Sequence, residues 1–233
     1  MSTLSDTPLL VVYTAIFGKI RDSLRSPSFD RDPDGRRVEF HCFTDQDVQA
    51  YPWKIWRLGM VVGQYPVQDP RRAARRIKTD PGRLREPFAK AQYSLWVDGS
   101  HVLKTNPWSM VDRHLQHADI AIAKHGERNC VYQEHHACSR MRKDNEAVMA
   151  SQIERYRAAG YPEHNGLHET GIVLRRLNAA TDLFNRTWSD EINAGSCRDQ
   201  LSVDYAAWYR GMTIAPLPGS GRASPYFDFY PHR

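Results

Sequence analysis

The residues of this chain that could do chemistry stand where apolar runs end. Asp98 follows Leu95-Trp96-Val97, so a carboxylate sits beside apolar bulk, where it is costly to leave unpaired unless a metal ion or a cationic group meets it. A hard divalent cation bridging that carboxylate to a diphosphate would neutralise a leaving group. Read without a ligand, Asp98-Gly99 is an exposed turn joining Trp96-Val97 to His101-Val102-Leu103 as a hairpin. Thr14 and Gly18 close an earlier apolar run, Asp45 the next, and Lys124, His125 and Arg128 a later one. In an open α/β sheet such positions converge on one crevice outside the carboxyl ends of the strands, suited to an anionic or metal-bound ligand. The structural alternative for each residue alone is a solvated loop.

Other groups add to this set. Arg71, Arg72, Arg75, Arg76 and Lys78 form the densest basic run. On a helix Arg71 faces Arg75 and Arg72 faces Arg76, pairs that repel unless something negative lies opposite. A phosphate-bearing donor would serve, as would a nucleic-acid backbone, and a solvated face would accommodate many of the side chains. Glu169 could take a proton from an acceptor hydroxyl. Asp199-Gln200 could grip sugar hydroxyls, since a carboxylate accepts hydrogen bonds and an amide both donates and accepts; dipole complementation in a first helical turn is the simpler account of Asp199. Glu134-His135-His136 lacks the HExxH spacing of a zinc site, and adjacent side chains on a helix diverge. The GxxxxGK[ST], GxGxxG and GxSxG patterns are absent, which disfavours kinases, dehydrogenases and α/β-hydrolases.

The elements that must position these groups alternate between strand and helix. Leu9 to Phe17 is a continuous apolar run ended by Gly18, as in a strand buried on both faces; 19–37 reads as a loop, and Val38 to Phe43 as a second strand. Asp69-Pro70 starts a helix over Arg71 to Lys78, which Pro81-Gly82 follows. Gln92 to Val97 and Asp119 to His125 read as strands, with a short helix from Pro107 to about His117 between them. One long helix is expected from Val131 to Ala159, closed by Gly160. A strand at Gly171 to Leu174 and helices at Ala179 to Asn193 and Arg198 to Trp208 follow, the last capped by Ser196. The class is α/β with a mostly parallel sheet flanked by helices. A single domain over 9–216 is expected, between an N-terminal tail (1–8) and a C-terminal tail (217–233) that wraps the surface or covers a site.

Composition fits this class. Apolar residues make up 41% and charged residues 25%, ordinary for a globular domain, so disorder is not the default. The formal charge of +5 favours anions without specifying them. No apolar run approaches the roughly 20 residues of a membrane span, and Met1 to Pro8 is too polar for a signal peptide. A cytoplasmic protein is expected, with peripheral membrane association left open, and four idle thiols at Cys42, Cys130, Cys138 and Cys197.

Six segments carry a resemblance in order: Tyr13-Thr14-Ala15-Ile16-Phe17-Gly18, Phe43-Thr44-Asp45, Tyr93 to Ser100, Lys124-His125-Gly126-Glu127-Arg128, Glu169 to Arg175, and Arg198-Asp199-Gln200-Leu201-Ser202. Together they are similar to a bacterial and plant glycosyltransferase-like family once catalogued only as a domain of unknown function, whose plant members are linked to wall polysaccharides. The resemblance covers Leu9 to Ile214. It implies a GT-A, Rossmann-like fold, a nucleoside-diphosphate sugar such as a UDP-sugar as donor, a saccharide acceptor, and Mn²⁺ or Mg²⁺. By the same resemblance Tyr13, Thr14, Ala15 and Asp45 would line the nucleotide pocket, with Asp98 and Gly99 at the metal and diphosphate position. Asp199-Gln200 is similar to the Asp-Gln pair that contacts the donor sugar in family 8 glycosyltransferases. Where such enzymes carry Asp-x-Asp, this chain has Asp98-Gly99-Ser100, a carboxylate and a hydroxyl. That departure makes Lys78, Lys124, His125 and Arg128, beside Arg75, candidates to neutralise the diphosphate.

The expected function is glycosyl transfer from a nucleotide sugar to a hydroxyl of a saccharide or other polar acceptor. A non-catalytic nucleotide- or sugar-binding module and a basic nucleic-acid-binding protein are the rivals; no nucleic-acid module is recognisable, so no nucleic-acid partner is expected.

Overall fold

The computed structural model describes residues 7–18, 24–29, 35–57 and 69–231. Much of the loop expected over 19–37, and residues 1–6 of the expected tail, lie outside them.

The unbroken apolar run Leu9–Ile16 forms β1 (Leu9–Ile16), and it has no polar face because it lies between two parallel neighbours. On one side lies β2 (Arg37–Thr44), paired from Leu9↔Arg37 to Ile16↔Thr44, and beyond it the short edge strand β3 (Lys54–Arg57). On the other side lies β4 (Tyr93–Val97). The connection from β3 to β4 carries α1 (Pro70–Thr79), started by Pro70 and by the Asp69 side chain accepting the Arg72 N–H. Then come β5 (His101–Leu103), α2 (Trp108–His114), β6 (Ile120–Lys124), α3 (Val131–Arg140) and α4 (Glu146–Ala158). The chain ends with β7 (His168–Arg176), α5 (Ala179–Ala194), α6 (Val203–Tyr209), β8 (Ile214–Leu217) and β9 (Phe227–Phe229).

The main sheet has the order β3-β2-β1-β4-β7-β6-β8. Among the described strands of this sheet β7 alone opposes its neighbours, pairing antiparallel with β4 and β6, so the expected mostly parallel sheet is found. Alternating residues feed two cores. Val11, Tyr13, Trp96 and Val173 pack under α1, α5 and α6 through Ile77, Trp188 and Ala206. Leu10, Val12, Leu95 and Leu174 pack under α2 and β9 through Trp108, Met110 and Phe227. A third cluster of Tyr132, Tyr156, Tyr161 and Tyr205 joins α3 and α4 to α6.

Five expectations are corrected. The single helix expected from Val131 to Ala159 is two helices, because Arg142 turns at φ 49° and the Asn145 side chain caps α4 by accepting the Val148 N–H. The helix expected from Arg198 begins as a 3-10 turn at Asp199–Leu201, with α6 following from Val203. Ser196 does not cap it: its hydroxyl donates to Asp144 at 2.5 Å and accepts the Arg198 N–H. The hairpin alternative for Asp98-Gly99 fails, since β5 pairs antiparallel with β9. The boundary expected at 216 falls inside β8, and beyond it Leu217, Tyr226 and Phe227 are buried.

At the carboxyl edge of the parallel strands, Gly18 ties two strand ends together. Its N–H lies 3.0 Å from both Asp45 oxygens, its φ is +72°, and a Cβ there would meet Pro70 Cγ at 2.9 Å. Only a glycine takes this backbone so close to α1 without strain. Gly18→Ala is expected to destabilise the chain by more than about 1 kcal/mol, read as a lowered midpoint in chemical denaturation.

Candidate active site

The site grows from the end of α1. Its Lys78 carbonyl accepts the Tyr13 hydroxyl at 3.0 Å and Arg175 Nη2 at 3.0 Å, while Arg175 Nη1 donates to the Tyr13 oxygen at 2.8 Å. Arg175, fully buried on β7, thus lays a positive charge against a helix C-terminus, where the dipole favours it. The backbone of Lys78 is fixed before its side chain meets anything.

That side chain is fully buried, and its ammonium sits 2.5 Å from Asp199 Oδ2 and 3.5 Å from Asp98 Oδ1. Three residues earlier, on the same helix face, Arg75 places Nε 3.3 Å from Asp199 Oδ1 and Nη1 3.8 Å from Asp98 Oδ1. Thr170 donates to Asp199 Oδ2 at 2.9 Å, so Asp199 is enclosed and all but inaccessible. Burial alone would raise its carboxyl, but Arg75, Lys78 and Arg198 together outweigh that and hold it well below the usual carboxylate range. Burial also pulls the Lys78 ammonium down, against the attraction of Asp199 and Asp98. With its carboxyl held so low, Asp199 is ionised at neutral pH.

Asp98 and Arg75 are the members that meet the outside, their side chains 27% and 25% exposed. Trp96, two residues earlier on the same face of β4, donates Nε1–H to Asp98 Oδ1 at 2.5 Å, and the Asp98 N–H donates to the Gly171 carbonyl at 2.8 Å. The latter bond continues the β4–β7 register one step past Val97↔Ile172, while on its other side β7 is irregular: Ile122 pairs with Val173 and Ala123 with Glu169, so Thr170, Gly171 and Ile172 bulge from the β6 ladder. Bulges of this kind re-aim side chains beside active sites. Asp98 opens on a small cleft shared with Thr14, Arg25, Trp53, Gly99 and His101. In it the Thr14 hydroxyl is buried with no partner, a donor awaiting an acceptor. A larger cavity of about 580 Å³ (in the range of small-molecule pockets) opens alongside, between Phe29, Phe40, Tyr51 and Asn106.

Residues 2–213 match the model of one family, described as TOD1/MUCI70, glycosyltransferase-like domain. The chain belongs to this family. A relative in Arabidopsis thaliana, described as "Probable hexosyltransferase MUCI70", is 27% identical over 214 residues, covering 83% of this chain and 36% of the relative. The chain therefore spans about a third of that protein's length. Among solved structures, WbbM, a bifunctional glycosyltransferase in its apo form, superposes with a TM-score of 0.54 over 94% of this chain and 40% of its own, at 11% identity. At that identity the likeness establishes the glycosyltransferase fold, in agreement with the GT-A-like architecture expected.

Against this family background the expected site residues divide. Arg75, Lys78, Asp98 and Asp199 come together, with Thr14 and Gly99 beside them; the Gly99 carbonyl accepts Arg25 Nη1 at 3.4 Å. Lys78 was expected to reach a diphosphate but is enclosed between carboxylates, and Asp199 was expected to act on a sugar but both its oxygens are engaged. Gln200 is half-buried in the same 3-10 turn. Asp45 serves Gly18, Tyr13 is a core residue with its hydroxyl engaged, and Ala15 is half-buried between them. Ser100 is buried, its hydroxyl 3.1 Å from His101 Nδ1.

Lys124, His125 and Arg128 form a separate group at the end of β6. Lys124 is exposed, His125 Nδ1 accepts the N–H groups of Glu127 and Arg128, and Arg128 Nε donates to Glu134 at 2.8 Å. Glu169 accepts the Gly221 N–H. The other cations of α1 find partners within the fold: Arg71 donates to the Lys143 carbonyl, Arg72 to those of Ile192 and Gly195, and Arg76 to the Asn193 side chain. The basic run thus seats α1 on the end of α5, where helix carbonyls attract cations. Trp96, Thr170, His101 and Arg175 escaped the sequence reading. Trp96 was findable, since residues two apart on a strand share a face.

Asp199→Asn removes half of a buried ion pair and is expected to cost about 3 kcal/mol at neutral pH. Because the folded-state carboxyl is held low, this contribution is fully present above the ordinary aspartate value near about pH 4 and fades as pH falls below it. Urea denaturation at neutral pH and at pH 3 should show the gap between wild type and variant narrowing on acidification.

Proposed function

We propose that the chain transfers a glycosyl group from a nucleoside-diphosphate sugar to a hydroxyl of a saccharide or other polar acceptor. The observation that carries this reading is Asp98: a partly exposed carboxylate fixed by the Trp96 indole, sharing a cleft with the orphaned Thr14 hydroxyl and backed by buried cations. Family membership supports the same reaction class.

In this reading the donor's diphosphate lodges at the cleft of Thr14, Asp98 and Gly99. Among the described residues no three His, Cys, Asp or Glu side chains converge as a metal cage. A lone carboxylate with a neighbouring hydroxyl fits instead a Mn²⁺ or Mg²⁺ ion held largely by substrate phosphates, the usual habit of Mg²⁺. Asp98 would be its protein ligand, and the ion would supply charge neutralisation of the departing diphosphate. The chain's own residues prepare that position. Lys78 and Arg75 orient Asp98 by charge, Trp96 by a hydrogen bond, and Asp199 holds both cations in place. Glu169 accepts the proton of the acceptor hydroxyl as its oxygen bonds to the anomeric carbon and the nucleoside diphosphate leaves with the electron pair.

A non-catalytic binding module is the second reading, motivated by the hydroxyl of Ser100 standing where a second carboxylate would be. Titration with UDP, with and without Mn²⁺, and turnover with a panel of nucleotide sugars separate the two. Wild type is expected to bind nucleoside diphosphate and turn over at least one donor. Asp98→Asn should lower turnover by about 100-fold or more, the scale of losing one electrostatic stabiliser, while leaving the unfolding midpoint within about 1 kcal/mol, as its isosteric amide still accepts from Trp96. Tight nucleotide binding with no transfer or donor hydrolysis by wild type would establish the module instead. Full turnover by the Asn variant would remove Asp98 from the mechanism.

A further inference from the structure

Residues 214–231, beyond the family match, return to the site. The segment between them is anchored at both ends: Leu217 pairs with Ala123 in the main sheet, and Phe227 pairs with Leu103. Tyr226 adds a carbonyl accepting the Lys104 N–H at 3.0 Å and a hydroxyl 2.8 Å from His114 Nε2. Between these anchors, residues 218–225 are largely exposed and fold on themselves, with the Ser220 N–H donating to the Ala223 carbonyl at 2.8 Å.

This preformed turn is tied to the site through the backbone of one residue. The Gly221 N–H donates to Glu169 Oε2, and the Gly221 carbonyl lies 2.6 Å from His101 Nε2. A carbonyl can only accept, so His101 Nε2 carries the proton and Nδ1, unprotonated in the neutral ring, accepts the Ser100 hydroxyl. The ring is seated between Phe229 and Gly171, where a Cβ on Gly171 would come 2.9 Å from His101 Cε1. A Cβ on Gly221 would lie 2.8 Å from Glu169 Oε2, so a side chain there displaces the Glu169 carboxylate.

We propose that residues 218–225 are a latch over the acceptor side of the site, held shut by the Gly221 backbone between His101 and Glu169. Its opening admits the acceptor hydroxyl. Shut, the latch occupies the Glu169 oxygen that would take the acceptor's proton and keeps water from it; open, it frees that oxygen for the acceptor. The inference rests on the glycosyl-transfer reading for its function, while the clamp itself rests on geometry alone.

Hydrogen–deuterium exchange by mass spectrometry on the full chain tests the clamp without substrate. In His101→Phe, which keeps a ring but loses the donor, peptides spanning 218–225 should exchange about three- to tenfold faster than in wild type. Peptides of β4 and of 172–176 should be unchanged. His101→Gln, which retains an N–H donor, should restore protection, a rescue that a merely space-filling role would not give. Gly221→Ala should open the same clamp from the other side. With nucleotide sugar, the Phe variant should shift turnover from transfer towards donor hydrolysis. Equal exchange of the 218–225 peptides in wild type and His101→Phe, or no rescue by Gln, overturns the latch. Normal clamp behaviour in a chain that turns over no donor overturns the functional reading instead, because the exchange result does not depend on catalysis.

Discussion

A lysine ammonium with no access to solvent constrains everything around the site. Taking an ion out of water costs several kcal/mol even after relaxation, and Lys78 recovers that cost through the 2.5 Å contact with Asp199, the longer one with Asp98 and the Trp96 ring 5.5 Å away. For those contacts to exist, α1 must end where β7 can grip it, the 3-10 turn at Asp199–Leu201 must lie beneath it, and β4 must stop one residue past Trp96. The buried guanidinium of Arg175 meets the first demand by engaging the Lys78 carbonyl. Three parts of the chain far apart in sequence are thereby brought to one point. An apolar cluster of the same volume would hold these elements at least as well, so the arrangement is best understood by what it does to Asp98, the one carboxylate of the four-charge set that is partly exposed.

The balance of that set bears on the ligand. Arg75 and Lys78 carry two positive charges, Asp98 and Asp199 two negative, so the cluster is near neutrality. A cluster with two open carboxylates would attract a cation by itself and repel a diphosphate. Here Asp199 is consumed inside, and the exposed face presents one carboxylate shadowed by two cations. Such a face tolerates an anion with an accompanying metal ion, which is the charge state of a nucleoside diphosphate in the proposed donor site. The substitution of Ser100 for a second acid and the burial of Lys78 are therefore one design feature: each lowers the net negative charge offered to the phosphates.

How much of this could be read beforehand depends on the range of each interaction. Continuous apolar runs marked β1, β4 and β6, and Asp69-Pro70 marked the start of α1, because burial and capping are written in neighbouring residues. The edge strand Lys54–Arg57 is too short for its alternation to stand out. The break between α3 and α4 was hidden because helix-forming residues continue across it; the cap at Asn145 and the pull of Asp144 on Ser196 and Cys197 decide it. The direction of β7 was hidden too, since strand patterns carry no sign. That direction matters: running antiparallel, β7 brings its N-terminal residues, Glu169 and Thr170, to the edge where its neighbours bring their C-terminal ones. Asp98 was legible as a carboxylate in an apolar setting. Its partner at position 199 was not, because no local pattern joins residues a hundred positions apart.

The same antiparallel turn of β7 divides the site into two sides with different physics. Thr170, on the face of α1 and α6, turns to Asp199 and belongs to the enclosed charge cluster. Glu169, its neighbour, points across the sheet to Gly221 and belongs to the exposed side closed by the C-terminal residues. The bulge at 170–172 separates the two and leaves room for His101 against Gly171. Burial makes the first side rigid, since moving any member strands a charge. Clamping by a single residue's backbone leaves the second side free to open at the cost of two hydrogen bonds. A transferase has use for both properties: a fixed place for the leaving group's charge, and a boundary that excludes water yet yields to an acceptor. In this chain they are separated by one residue of one strand.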